Sequence, residues 1–382
     1  MREVAFRNMD LQIKEWKKKI DNQSVIPILQ DKLDLAEKNN EGLYSNFNDV
    51  EMIQWFLYRK QHLNHKHDKS SRTIKEYKLE INQFVEQLLK YSLEINIDIE
   101  TIRSSSLFKS LAPRHIRRYQ EWLATKSPYV QKKGSYAPAT LARKTTILNN
   151  FLKFLYESKY IEDPLHQGLL MASIKNEDRP NRDLGPAEVI QLLNHFRKEK
   201  HPIAFAIIHI LTTTGLRNEE FCNLKVKDIQ YDSINDGHFL QVLGKGNKSR
   251  EVPLREKTLD SIHMFRYARG LEEIAAADKD SPLFTTNTGS AFSPSYLSQY
   301  LTNTIKQSQL PFLDGRSSLI GPHTLRHSFA IISYLSKVDI YQIMRSLGHE
   351  KIETTVIYLQ KVMQREQHAI HSWDANIFGE YI

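Results

Sequence analysis

Between His323 and Tyr358 the chain reads HTLRHSFAIISYLSKVDIYQIMRSLGHEKIETTVIY, and this stretch decides how everything else is read. His323 and Arg326 stand at i and i+3, which places both on one face of a helix and lets them address one group of substrate atoms. An apolar pattern of helical length then runs to Gly348, a residue suited to closing a helix in the left-handed conformation. His349 follows at once, and a further short helix carries Tyr358. A guanidinium, two imidazoles and a phenol brought to one point suit a phosphodiester, whose attack needs charge neutralisation and a nucleophile. Each piece also has an ordinary explanation: His-x-x-Arg is common on ion-paired surface helices, and most of the chain's 17 tyrosines should fill core or rim.

A second segment lies upstream, TTTGLRNEEFCNLKVKDI (residues 212–229), followed by VLGKGNKSREVPL (residues 242–254). The apolar run 203–211 reads as a buried helix ended by Gly215, and Arg217 opens the next helix, 218–224. An arginine beside a helix start is well placed for phosphate, because the guanidinium grips two oxygens and unpaired backbone N–H groups add to it. Glu220 shares a helical face with Arg217 and is read as holding that guanidinium rather than acting as an acid. Asp228 is read as bracing the turn that follows, and Cys222 as core filling. From 229 to 254 the period changes to two: Leu240 and Val242 alternate with Phe239 and Gln241, and Arg250, Val252 and Leu254 share a face on the other arm. Gly244 and Gly246 mark a tight hairpin turn with Lys245 near its tip.

Taken in order, Gly-Leu-Arg-x-x-Glu, Gly-Lys-Gly-x-Lys-x-Arg-x-Val-Pro-Leu, His-x-Leu-Arg-His and Leu-Gly-His-x(8)-Tyr resemble the motifs of the tyrosine recombinases, the phage-integrase family. The resemblance covers most of the second half of the chain. It implies an α+β fold, mainly α with a small antiparallel β-sheet, in which a helical core-binding domain and a catalytic domain form a C-shaped DNA clamp. It also implies the chemistry. Tyr358 would attack a DNA phosphodiester, form a 3′-phosphotyrosyl link and release a 5′-hydroxyl; Arg217 and Arg326 would clamp the nonbridging oxygens, and His349 would donate a hydrogen bond to the same phosphate. Lys245 would protonate the leaving oxygen and His323 would take the phenol's proton, help that a group with an ordinary pKa of about 10 needs at neutral pH. The covalent link keeps the energy of the broken bond, so no cofactor is expected, and no acidic cluster suited to a metal stands among these positions.

By the same resemblance the partners would be double-stranded DNA carrying specific sites and further copies of the chain, a dimer on each site and a tetramer in the synapse, with room for an accessory directionality factor. The function implied is site-specific recombination, integrating or excising a mobile element. A Xer-like resolvase of chromosome dimers, a type IB topoisomerase and a catalytically idle DNA-binding regulator on this fold are the alternatives. The segment between Arg217 and the hairpin looks slightly long for the family, and the N-terminal extension lacks a clear counterpart.

Working outward, residues 185–382 form the catalytic domain, 173–184 a polar linker, 46–172 the helical core-binding domain and 1–45 a helical extension. The extension's apolar stripe, Leu11, Ile13, Trp16, Ile20, Ile26, Leu29 and Leu33, is interrupted by Pro27 and is read as packing on the next domain. In 46–172, Phe47, Val50, Ile53, Phe56 and Leu57 make one stripe; a helix opening at Ser71 buries Leu79, Phe84, Leu88 and Leu89; a third spans 111–123; a fourth carries Pro138 in its first turn. By the family resemblance Thr73, Lys75, Arg143, Lys144 and Lys153 would face the DNA backbone, joined by Lys248 and Arg250 on the hairpin. Exposed helix residues are the plain alternative. The tail holds Ile370, Trp373, Ile377 and Phe378 and resembles the family's exchanged C-terminal segment; a helix folded back on its own domain is the other reading.

Composition agrees without deciding. In 382 residues, 40% apolar and 26% charged, 53 Lys and Arg against 45 Asp and Glu leave a net charge of +8, a modest surplus that a phosphate-binding protein should cluster on one face. One cysteine excludes an intramolecular disulfide or a cysteine-rich metal site. His62, His65 and His67 lack the i, i+4 spacing with a nearby Glu of helical zinc sites and read as a solvated helix end. No apolar run approaches the roughly 20 residues of a membrane span and the charged N-terminus shows no secretory signal, so a cytoplasmic, nucleoid-associated bacterial protein without membrane partners is expected.

Overall fold

Two separate hydrophobic cores form along the chain, one in residues 1–179 and one in 180–382. The computed structural model describes residues 17–63, 68–99, 103–172, 181–244, 248–316 and 318–374. The division falls inside the stretch read as linker.

The first unit is built from helices α1 (Ile26–Lys38), α2 (Asp49–Tyr58), α3 (Ser71–Lys90), α4 (Pro113–Thr125) and α5 (Pro138–Glu157). Their starts follow local chemistry. Asn48 and Glu51 exchange side-chain and backbone hydrogen bonds of 3.0 Å at the head of α2, and Ser70 accepts the Thr73 N–H at the head of α3. Proline occupies the first turn of α1, α4 and α5, where no N–H partner is lost. Pro27 therefore starts α1 instead of interrupting a longer helix. Ile20, Leu29 and Leu33 belong to the same core as Ile53, Phe84, Phe108 and Phe151, so the described part of the extension is built into this unit; Leu11, Ile13 and Trp16 lie outside the described residues.

Leu79 corrects the expected face of α3. It is 64% exposed, while Ile81, Phe84, Val85 and Leu88 turn inward. Five residues separate it from Phe84, and at about 100° per residue that carries it to the far side of the helix.

In the second unit α6 (Pro186–Lys198), α7 (Pro202–Thr214) and α8 (Asn218–Asn223) lead into strands β1 (Ile229–Asp232), β2 (Gly237–Leu243) and β3 (Ser249–Leu254). Helices α9 (Glu256–Ala268), α10 (Pro294–Gln307), α11 (Pro322–Leu335), α12 (Ile340–Leu347) and α13 (Ile352–Glu366) follow. Apolar on nearly every side, α7 is the buried axis, packed by α6, α9 and α11. The sheet is antiparallel in the order β1-β2-β3, with Leu240 opposite Ile229 and Val252 and with Val242 opposite Arg250. Alternation sends Leu240, Val242, Val252 and Leu254 into the core. Arg250 has the parity of Val252, so its side chain leaves the strand on the buried face. A small third cluster, Ala330, Ile331, Ile343, Leu347, Tyr358 and Leu359, binds the last three helices together.

Candidate active site

Two helix ends create the site. Gly215 terminates α7 and Gly348 terminates α12, both left-handed, with φ of +62° and +63°. A Cβ at Gly215 would stand 2.9 Å from the Phe329 ring, so glycine is required there by space as well as by φ. Helix C-termini leave carbonyls without intrahelical partners and carry partial negative charge. The two motif arginines take them up crosswise. Arg326 donates from Nη1 to Gly215 O (2.5 Å) and from Nη2 to Leu347 O (2.6 Å), while Arg217 donates from Nη2 to Gly348 O (2.7 Å).

Glu220 completes the frame. Its carboxylate accepts the Arg217 N–H and Nη1 at 2.7 Å, and Nη1 and Nη2 of Arg250 at 2.8 and 2.7 Å, with Arg326 Nη1 at 4.0 Å. Burial alone would raise its pKa, but the hydrogen bonds from Arg250 and from the Arg217 N–H outweigh that and hold it at about 2. Arg326 is 1% exposed; burial and the neighbouring Arg217 bring it down to about 10, still a cation at neutral pH.

Arg250 was expected at the DNA surface and stands elsewhere. Besides gripping Glu220 it donates from Nε to Ser346 O (3.2 Å), and its side chain is only 14% exposed. The strand's period of two, which groups Arg250 with Val252 and Leu254, was the signal for this inward direction.

Tyr358, 9% exposed, sits among three imidazoles. The His323 and His349 rings meet its ring edge-on, at 5.6 and 5.1 Å between centroids, and His327 lies against it at 4.4 Å with 36° between planes. The phenol also hydrogen-bonds Arg326. His349 Nδ1 is 2.9 Å from Thr355 Oγ1, which fixes the ring. Burial, then Arg326, Arg217 and Arg250, lowers His349 to about 3; burial, Arg182 and Lys361 lower His327 to about 4. Burial first, then Arg182, lowers His323 to about 4 as well, although one side of its ring is open to solvent. All three rings are therefore neutral at pH 7.

His327 is the residue the sequence reading passed over. It is the second histidine of HTLRH, one turn beyond His323, and the i, i+4 spacing that puts both on one face was the available signal.

The remaining candidates are dispersed. Lys245 lies outside the described residues. Lys248 pairs with Glu350 at 2.7 Å, each side chain 68% exposed. Asp228 accepts the Lys225 N–H at 2.8 Å and closes the turn before β1. Cys222 is buried, and burial pushes its thiol up to about 12. In the first unit Lys75 is exposed, Thr73 contacts Ser70, Arg143 pairs with Glu76, and Lys153 is 3.5 Å from Glu157. Lys144 departs from the expectation of an outward-facing cation: it is 8% exposed and bound to Glu80 (2.6 Å) and Gln83 (2.8 Å). Ile370 and Trp373 are about half exposed, while Ile377 and Phe378, like His65 and His67, lie outside the described residues. Among the described residues no group of His, Cys, Asp and Glu could hold a metal ion, and no helix is long and apolar enough to cross a membrane.

Residues 182–365 match the model of the phage integrase family, a span that holds every site residue of the second unit named above. Tyrosine recombinase XerC of Halalkalibacterium halodurans is 28% identical over 83% of this chain and 95% of its own. The XerD recombinase of Brucella melitensis biotype 1 is 30% identical over 60% of this chain and 74% of its own. The fold is shared with XerH site-specific recombinase bound to a palindromic difH substrate in a post-cleavage complex, with a TM-score of 0.58 and 20% identity over 94% of this chain and 96% of that one. Relatives this similar over most of their length, together with motifs that converge on one phenol, make the protein a member of the phage integrase family of tyrosine recombinases, enzymes that cleave and rejoin DNA at specific sites.

Proposed function

We propose that Tyr358 is the nucleophile of a site-specific strand exchange. The observation that carries this is the enclosure of its phenol by His323, His327 and His349 beside an Arg326 guanidinium pinned to two helix-end carbonyls. The Tyr358 oxygen attacks phosphorus, the bond to the 5′-oxygen breaks, and a 3′-phosphotyrosine forms. Its proton passes to His323, whose ring is neutral and so able to accept it. Lys245 is assigned to protonate the 5′-oxygen, on the family motif alone. Arg217 and Arg326 face the growing charge on the nonbridging oxygens already oriented, so little reorganisation is needed in the transition state. A neutral His349 that accepts from Thr355 at Nδ1 carries its proton on Nε2 and donates it to the same phosphate.

The partner is double-stranded DNA, gripped through phosphates by residues such as Thr73, Lys75, Arg143, Lys153 and Lys248. The chain acts as a dimer on each site and a tetramer in the synapse, its exposed Ile370 and Trp373 belonging to a tail exchanged between protomers. Integration or excision of a mobile element is the leading biological setting. A Xer-like resolvase is the second, favoured by the similarity to XerC along 83% of the chain.

The test uses nicked duplexes tiled across the DNA flanking the gene, from which strand cleavage releases a short fragment and traps the protein. A denaturing gel should show a covalent adduct with the wild type and none with Tyr358→Phe. An adduct that persists in Tyr358→Phe would refute the assignment.

A further inference from the structure

His327 has no part in that chemistry, yet of the three imidazoles it lies nearest to Tyr358, and alone of them it inclines its face toward the phenol instead of crossing it at a right angle. A ring held in this way constrains how the phenol turns about its own axis. What holds His327 is unfinished in the structure. Among the described residues its buried Nδ1 has no hydrogen-bond partner, and neither has Oδ2 of Asp183. The two groups face each other, with Asp183 Oδ1 3.9 Å from His327 Nδ1. Buried polar atoms are rarely left unpaired, and a rotation of the Asp183 side chain is enough to bring a carboxylate oxygen from this distance onto the unpaired Nδ1.

The frame around Asp183 permits that rotation. Its backbone is fixed, the carbonyl accepting from Arg316 Nη2 at 2.7 Å and the N–H donating to Asn181 at 3.1 Å. Its carboxylate keeps 22% exposure against 9% for the His327 side chain, so the acid is the partner with room to move. Arg182 and Lys361 are the cations that face this imidazole, and with burial they keep it neutral, carrying one N–H to donate.

We propose that Asp183 and His327 form a positioning pair for Tyr358: the carboxylate accepts the His327 Nδ1–H, fixes the imidazole against the phenol, and so sets the direction of the attacking oxygen. Asp183 stands at the entrance of the second unit, where the chain arrives from the linker. The pair thereby ties the nucleophile's aim to the position of that entering segment. This inference rests on Tyr358 being the nucleophile.

The experiment combines single-turnover cleavage of the nicked flanking duplexes with NMR of the full chain carrying ring-labelled tyrosine, the Tyr358 signal being identified by its loss in Tyr358→Phe. His327→Leu and Asp183→Leu should each slow cleavage by about tenfold or more while DNA affinity stays within about twofold, and each should displace the Tyr358 ring signal in the same direction. Asp183→Asn, which keeps an acceptor oxygen, should retain a rate within about threefold of wild type. The double variant should be no slower than the worse single variant, as expected when two residues act as a unit. Rate losses that multiply in the double variant, or an Asp183→Leu protein with unchanged cleavage and an unmoved Tyr358 signal, would overturn the pair. If the wild type forms no adduct, the nucleophile assignment fails instead, and the NMR comparison still judges whether Asp183 and His327 orient the ring. His327→Phe, which keeps a flat ring of similar size, provides a folded comparison should the leucine variant unfold.

Discussion

Replacing Glu220 by glutamine should remove the keystone of the arginine frame without changing its shape. The carboxylate is 4% exposed and receives four hydrogen bonds of 2.7–2.8 Å from Arg217 and Arg250. Glutamine resembles the protonated acid, so the preference of the site for the charged form measures the loss. That form is held at about 2 against an ordinary 4.5. At about 1.4 kcal/mol for each unit the gap corresponds to about 3 kcal/mol, in line with the roughly 3–5 kcal/mol typical when one partner of a buried pair is removed. Because the folded value lies below the unfolded one, the contribution is complete above about pH 4.5 and is lost as pH falls through about 2. The variant should therefore be about 3 kcal/mol less stable at pH 7, and the difference should shrink by more than half at pH 3.

Calorimetry that resolves the two units is the appropriate assay, since Trp55 and Trp122 are buried in the core of the first unit and their fluorescence reports the wrong core. A unit of this size should lose roughly 6–12 °C in the transition belonging to the second unit. Adduct formation should fall by about 10²-fold, because both guanidiniums lose their brace. A stability difference below about 1 kcal/mol at pH 7, or one equally large at pH 3, would refute the argument that charge, and not packing, is what Glu220 contributes.

Lys144→Met should destabilise the first unit by about 2–3 kcal/mol, because it strands Glu80, while leaving the salt dependence of DNA binding unchanged. Lys75→Ala should do the reverse, flattening the log K against log salt slope by about 1 at constant stability; equal slopes for wild type and Lys75→Ala would remove that lysine from the interface. Acid should loosen the second unit before any carboxylate titrates. His327 and His349 are held at about 4 and about 3 against 6.5, so the unfolded chain takes up their protons first, and stability falls as pH drops below about 6.5. At pH 5 the loss should be about 2 kcal/mol for each ring, and a second-unit transition that does not move between pH 7 and 5 would contradict the burial of both rings.

Much of this protein was legible from spacing alone. The helix-closing Gly215 and Gly348, the shared face of Arg217 and Glu220, the hairpin of alternating Leu240, Val242 and Val252, and the motif order leading to Tyr358 all follow from periods of 3.6 and 2 and from what glycine permits. Those rules act over a few residues, so one chain's sequence is enough to apply them. Which carboxylate takes which cation was not legible in this way. The period of two turns Arg250 inward, but its partner Glu220 stands 30 residues away, and Lys144, which looks like its exposed neighbours in the sequence, is taken by Glu80, 64 residues away. The crosswise grip of Arg326 on Gly215 and of Arg217 on Gly348 spans 111 and 131 residues. His327 and Asp183 come together in the same way, across the whole second unit. Charge pairing and burial depend on distance in space, and only the packing of α7, α11 and α12 around one phenol brings those distances within reach.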